Sequence, residues 1–258
     1  MAGRAKDSRP LAQRLFAILD AFERGEGPTR SLSELARAAD LPESTAYRLA
    51  EQLVASGGLE RDASGGYRVG LKLWRLGSHH HSTRALRQIA LPYLDDLLEL
   101  TRQNVQIAIL DDLSALYVER LTAPESVVVL ADAGKRLPLH ATGVGLVLLA
   151  WGGEALLARV LESGPRRFLA RTMTTERELR PRLAEIRRTG VATTRDEMTA
   201  GSASVAAPVR DASGQVVAAV SVIVPSDRRP DPRYELAVRL AAAGISRELA
   251  RSIPTPTQ

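Results

Sequence analysis

The sequence predicts an α+β protein of two domains joined by a helix. Three observations carry that expectation. Three short helical patterns and a glycine-tipped hairpin fill the first 77 residues. A longer helical pattern, Arg84 to Thr101, follows. Strands then alternate with helices from Asn104 to Ser252. The expected division is 1–77, a linker with its helix at 78–101, a second domain at 102–253 and a disordered tail at 254–258.

The first helix starts near Pro10, where Leu11, Leu15, Ile18, Leu19 and Phe22 form one apolar stripe. Gly25 and Gly27-Pro28 stop it. Ser31 with Glu34 is a capping box, each side chain satisfying the other's free amide. The helix it opens buries Leu32, Leu35, Ala36 and Ala39. Asp40-Leu41-Pro42 makes a tight turn, with Pro42 suited to a first helical position. The third helix runs to about Ser56 and turns Ala46, Leu49, Ala50, Leu53 and Val54 inward. Leu59–Arg61 and Tyr67–Val69 flank Asp62-Ala-Ser-Gly-Gly66 and predict a hairpin. Leu71 to Leu76 is a short amphipathic piece closed by Gly77. Pro92 inside the Arg84–Thr101 pattern should kink that helix or mark its start.

Beyond Asn104, Val105–Leu110 and Ala115–Leu121 predict a hairpin, and Val127–Leu130 a further strand. Thr142–Ala150, Glu154–Leu161 and Thr175–Thr189 read as helices, the last stopped by Gly190. Val191–Thr194, Val205–Arg210 and Val216–Val224 read as strands, the last two joined by Asp211-Ala-Ser-Gly214. Pro232–Ser252 is a closing helix.

Composition narrows the function. Cysteine is absent, which excludes disulfide scaffolds, thiolate zinc sites and a cysteine nucleophile. No long apolar run predicts a membrane span, and the polar start has no signal-like core, so a cytoplasmic protein without a membrane partner is expected. The net charge of +5 invites nucleic acid. It is spread along the chain, apart from a basic arm of Arg4, Lys6, Arg9 and Arg14. No nucleophile elbow, phosphate loop or dinucleotide fingerprint is present, so no enzyme and no cofactor are expected. His79-His80-His81 lies in a polar linker and does not make a metal site. His140 reads as a packing or hydrogen-bonding residue. Glu119, Asp132, Asp196 and Glu197 form no visible constellation and read as solvated or capping groups.

Helix, helix, tight turn, helix and hairpin is the winged helix-turn-helix plan, whose third helix enters the major groove. Ser44, Thr45, Tyr47 and Arg48 point away from the inner face. Hydroxyls bond phosphate or base, and Arg48 suits a bidentate pair to guanine. Arg68 on the wing, with the basic arm, suits phosphates. Double-stranded operator DNA is the expected partner. A small-molecule sensor or enzyme without DNA binding is the alternative, separable by the salt dependence of DNA affinity.

Leu32-Ser-Glu-Leu-Ala36 followed by Leu41-Pro-Glu-Ser-Thr-Ala-Tyr-Arg-Leu49 resembles the N-terminal domain of the isocitrate-lyase-regulator (IclR) family of bacterial transcription factors. Gly134-Lys-Arg-Leu-Pro-Leu-His-Ala-Thr-Gly143 resembles that family's loop into its effector pocket. Ala206-Ala-Pro-Val-Arg-Asp211 with Val216-Val-Ala-Ala-Val-Ser221 resembles its late hairpin. The resemblance runs from about Pro10 to Ser252. It implies a cytoplasmic repressor or activator, acting as a homodimer or dimer of dimers. It also implies a GAF-like α/β effector-binding domain for small organic or aromatic acids.

By position, the resemblance places an effector at Gly143, Val144, Thr194, Ser204, Ser221 and Ile223. The amides of Gly143 and Val144 would hold its carboxylate, as free amides at a helix start suit an anion. Thr194, Ser204 and Ile223 stand where many members carry aspartate, cysteine and serine. Gly145-Leu146-Val147 departs from the family's Gly-Lys-Ala. These changes make the expected pocket less acidic and more apolar, and favour an anion with an apolar body such as an aromatic acid. A pocket too small for a ring would remove that preference.

Overall fold

The computed structural model describes residues 9–24, 27–77, 81–124, 126, 133–227 and 232–252. It divides into two compact units between Arg84 and Ala85. The expected strand Val127–Leu130, the tail at 254–258, Arg4, Lys6, Gly25, His79, His80 and Asp132 lie outside the described residues.

In the first unit, α1 (Leu11–Arg24), α2 (Leu32–Ala38) and α3 (Glu43–Ala55) pack around Ile18, Leu35, Leu49 and Leu59. The capping box of α2 forms as expected: Ser31 Oγ accepts from Glu34 N at 3.3 Å, and Glu34 Oε2 accepts from Ser31 N at 2.7 Å. The turn to α3 places Asp40 at φ 50°, and Leu41 N donates to Ala36 O at 2.9 Å. Pro42 sits one residue earlier than expected, at the N-cap of α3, where its carbonyl accepts from Thr45 N and Ala46 N.

The wing is β2 (Leu59–Arg61) and β3 (Tyr67–Val69). Asp62 closes its tip by accepting from Ser64 N at 2.9 Å and Gly66 N at 2.8 Å. A strand not expected from the sequence, β1 (Thr29–Arg30), pairs antiparallel with β3. Arg30 is buried and donates to Ala21 O at 3.2 Å and Gly27 O at 3.0 Å, which satisfies a carbonyl at the end of α1. Next, α4 (Leu71–Gly77) buries none of its side chains.

Helix α5 (His81–Thr101) starts inside the stretch expected to be linker and runs unbroken across Pro92. Leu86, Ala90, Leu94 and Leu97 belong to the core of the second unit, so most of the expected linker helix is part of that unit.

A six-stranded antiparallel sheet forms the rest of the frame. Its strands are β4 (Asn104–Asp111), β5 (Ser114–Leu121), β6 (Arg136–Pro138), β7 (Ala192–Arg195), β8 (Ser202–Arg210) and β9 (Val216–Pro225), in the order β6-β5-β4-β9-β8-β7. Strand alternation sends Val105, Ile107, Val205, Val220 and Val222 to one face, against α5 and α9 (Pro232–Ser252). The other face carries Ala108, Tyr117, Ala206 and Ala219. It packs on α6 (Gly143–Trp151), α7 (Gly153–Glu162) and α8 (Glu176–Thr189).

Helix α8 opens on a second capping box, Thr175 with Glu178, and closes on Gly190 at φ 73°. Glu178 accepts from Thr174 N, Thr175 N and the Thr175 hydroxyl, which lowers its carboxyl to about pH 2. Its folded pKa lies below the unfolded value, so its contribution is present above about pH 4.5 and fades as pH falls toward 2. The expected result is a Glu178→Gln variant with a lower Tm than wild type at pH 7 and an equal Tm near pH 2. A gap that persists near pH 2 would show that the charge is not the cause.

Candidate nucleic-acid interface and ligand pocket

Helix α3 is amphipathic by placement. Ala46, Leu49, Ala50 and Leu53 are buried, while Ser44, Tyr47 and Arg48 are exposed and Thr45 is half-buried. Tyr47 leaves 48 % of its surface open, a large aromatic with no core function. Arg48 has no ion-pair partner among the described residues. The far end of α3 is tied to the wing. Arg61 donates to Glu51 at 2.7 Å and lies 4.6 Å over the buried Tyr67 ring, whose hydroxyl reaches Glu51 at 3.2 Å. Arg68 is exposed as expected, but Glu60 holds its guanidinium at 2.9 Å. That pair is solvent-exposed and worth little, so a phosphate can compete for the arginine. Arg9 of the basic arm donates to Ala39 O at 2.9 Å and Asp40 O at 3.2 Å, bracing the turn before α3.

In the second unit a cleft opens at the start of α6, on the sheet face that carries Gln106, Ser204 and Ile223. Gly143, Thr194, Ser204 and Ile223 line it, as expected, and Tyr117 and Met198 are among the other walls. Two expected residues do not line it. Val144 packs in the core beneath α6, because the second position of this helix turns its side chain toward the sheet; only its amide remains for a ligand. Ser221 alternates onto the same sheet face as Ile223 but is fully covered, opposite Gln106 in register.

The geometry at the helix start suits an anion. Thr142 caps α6 by accepting from Gly145 N at 3.1 Å. The amides of Gly143 and Val144, the first two of the helix, have no acceptor within it. Ser204 and Thr194 hydroxyls bond each other at 2.6 Å beside them. Gly145 has no room for a side chain, since a Cβ would lie 2.5 Å from Leu139 O. His140 is buried, hydrogen-bonds Arg166 O at 2.9 Å and stacks on Phe168; burial lowers its pKa. Tyr117 is held neutral by burial.

Glu197 overturns its expected role as a solvated or capping group. It lines the cleft, is buried, and its Oε2 has no hydrogen-bond partner. Gln106 Oε1 and Ser221 Oγ, on neighbouring strands, are buried without partners too. Buried polar atoms are ordinarily satisfied by protein or ordered water, and Glu197 and Gln106 give the cleft a polar wall. Sequence patterning gave no sign of it, because Glu197 sits on an irregular loop. That loop is placed by Thr172, 25 residues away, whose hydroxyl donates to Glu197 O at 2.5 Å. Of the remaining carboxylates, Glu119 is paired with Arg87, and Asp196 accepts from Ser226 Oγ at 2.7 Å.

The cleft offers a ligand about 40 Å³. A cavity of about 150 Å³ is known to take benzene. As it stands the cleft therefore admits a carboxylate or water but no ring, which goes against the expected preference for an aromatic body.

A helix-turn-helix with an exposed polar recognition face, followed by a sheet-and-helix unit with an anion-suited cleft, defines a ligand-responsive DNA-binding regulator. The IclR helix-turn-helix domain matches residues 11–63, and the bacterial transcriptional regulator IclR C-terminal domain matches residues 79–247. The chain belongs to the IclR family and is a transcriptional regulator, not an enzyme. It is 30 % identical over 262 aligned positions to the HTH-type transcriptional repressor AllR of Escherichia coli K12, covering 98 % of this chain and 94 % of that one. An IclR homolog from Microbacterium hydrocarbonoxydans, solved with 4-hydroxybenzoate, superposes with a TM-score of 0.86 at 33 % identity. That match covers 94 % of this chain and 100 % of the other. A transcriptional regulator from Rhodococcus sp. RHA1 gives 0.78 at 31 % identity, over 94 % and 99 % of the two chains. Among the described residues no helix is long and apolar enough to cross a membrane.

Proposed function

We propose that the first unit reads operator DNA through Ser44, Thr45, Tyr47 and Arg48, with Arg68 on a phosphate. In this reading the second unit binds a small organic acid whose carboxylate meets the Gly143 and Val144 amides beside Thr194 and Ser204. The observation that carries it is the cleft at the start of α6, where Gly143, Thr194 and Ser204 come together beside two amides with no acceptor in the helix. The 4-hydroxybenzoate bound to the M. hydrocarbonoxydans relative supports an aromatic body. A ring would enter only if the walls around Ile223 and Met198 part, since the cleft as it stands is too small for one. The protein works in the cytoplasm as a homodimer or a dimer of dimers, since paired half-sites mirror a two-fold protein.

The effector shifts DNA affinity only by its different affinity for the free and DNA-bound arrangements. A thermal-shift screen of small organic and aromatic acids tests the cleft. An acid at one hundred times its Kd adds about 2.7 kcal/mol, which raises Tm by roughly 5–10 °C for a chain of this size. No shift from any acid at millimolar concentration would remove the effector reading. Sedimentation showing only monomer at micromolar concentration would remove the oligomer.

A further inference from the structure

Glu197 lines the cleft that the proposed effector anion would enter, and it is the one carboxyl lining it among the described residues. A buried carboxylate beside an incoming carboxylate is a like-charge pair, and such pairs keep only one member ionised. The Arg195 amide donates to the Glu197 carboxyl and favours its ionised form, but less than burial disfavours it, and no cation pairs with it directly. Arg182 acts on it from a distance, but its guanidinium bonds Glu185 at 2.8 Å and the Thr193 hydroxyl at 3.1 Å. Arg171 likewise contributes only through space. Asp196, the preceding residue, is turned to Ser226 and the Gly201 amide and is held ionised by those bonds. Tyr117, across the cleft, is neutral. Thr172 fixes the loop: fully buried, it accepts from Phe168 N and Leu169 N and donates to Glu197 O. The carboxyl is thus held in the cleft with Oε2 unsatisfied.

We propose that this pocket binds its acid effector together with a proton, carried on Glu197, whose neutral carboxyl donates its O–H to an acceptor oxygen of the ligand. The inference rests on the acid-effector reading above. It assigns Glu197 a specificity role: the pocket accepts a compact anion only at the cost of holding its own carboxyl neutral. Burial supports this, lifting the Glu197 carboxyl to about 7 against the weaker pull of Arg182. Effector binding is then full strength below that pH and weakens as Glu197 ionises above it.

The test is titration calorimetry of the full chain with 4-hydroxybenzoate and with benzoate, which has no second titrating group. Measurements at pH 6.5, 7.5 and 8.5 use phosphate and Tris buffers, whose different ionisation heats report proton uptake. The expected result is an affinity that falls roughly 25-fold from pH 6.5 to 8.5, with uptake approaching one proton at the upper end. Glu197→Gln keeps the donor and the shape, so its affinity is expected to stay near the wild-type value at pH 6.5 and remain flat with pH. If that variant fails to fold, the wild-type proton uptake decides alone. Acid binding with pH-independent affinity and no proton uptake overturns the proposal while leaving the effector reading intact. No binding of either acid at pH 6.5, where Glu197 is neutral, overturns both.

Discussion

Replacing Tyr47 and Arg48 together by alanine is expected to weaken specific operator binding by about 30- to 1000-fold. The magnitude follows from the parts. A bidentate arginine–guanine contact is worth about 1–3 kcal/mol, and a hydrogen bond from Tyr47 adds about 1. Each 1.4 kcal/mol is roughly tenfold in affinity. Stability should hardly change, because both side chains are exposed and exposed substitutions ordinarily stay within about 0.5 kcal/mol. Competition against unrelated DNA separates this from a general loss of charge. The double variant should bind unrelated DNA nearly as well as wild type. Arg68→Ala, by contrast, should weaken both DNAs alike and reduce the salt slope by about one. Operator affinity within threefold of wild type for the double variant would place base recognition elsewhere.

What the sequence made legible follows the range of the interactions. Ser31–Glu34 and Thr175–Glu178 announce helix starts because both partners of each capping box lie within four residues. The two Asp-Ala-Ser-Gly stretches form the same turn. Asp62 and Asp211 each accept from the backbone amide two residues on, and Gly65 and Gly214 both sit at φ 83°. Elements defined by distant partners were not legible. Thr29–Arg30 is a strand only because Tyr67 and Arg68 lie beside it, and Arg136–Pro138 only because Ser114–Leu116 does. The same division holds at the sites. The recognition face of α3 follows from helical period within one element. The cleft gathers residues from β4, β8, β9, the start of α6 and the loop at Glu197. Of the residues the resemblance pointed to, Gly143, Thr194, Ser204 and Ile223 line the cleft, Val144 offers it only an amide, and Ser221 lies under cover. Glu197 had no local pattern to mark it.

Gly143→Ala is expected to abolish the effector-induced thermal shift and to destabilise the second unit. A Cβ at Gly143 would collide with Ser204 Oγ and lie 3.3 Å from Ala206 Cβ. Two effects compete. Alanine favours a helix over glycine by at most about 1 kcal/mol. Overpacking a tight site costs typically 1–3 kcal/mol, and here Ser204 must also give up its 2.6 Å bond to Thr194. The collision should prevail, lowering Tm by a few degrees. The new methyl group would also stand between Gly143 and Ser204, both of which line the cleft, so the ligand-dependent gain of about 2.7 kcal/mol at one hundred times Kd should vanish. Stability and binding can be separated by adding Ser204→Ala, which removes the colliding oxygen. The Gly143→Ala, Ser204→Ala double variant should recover most of the lost Tm and still show no ligand shift. DNA affinity without effector should match wild type in both variants, because the change lies outside the unit that carries α3. A full ligand shift in Gly143→Ala would mean that the anion is held somewhere other than the start of α6.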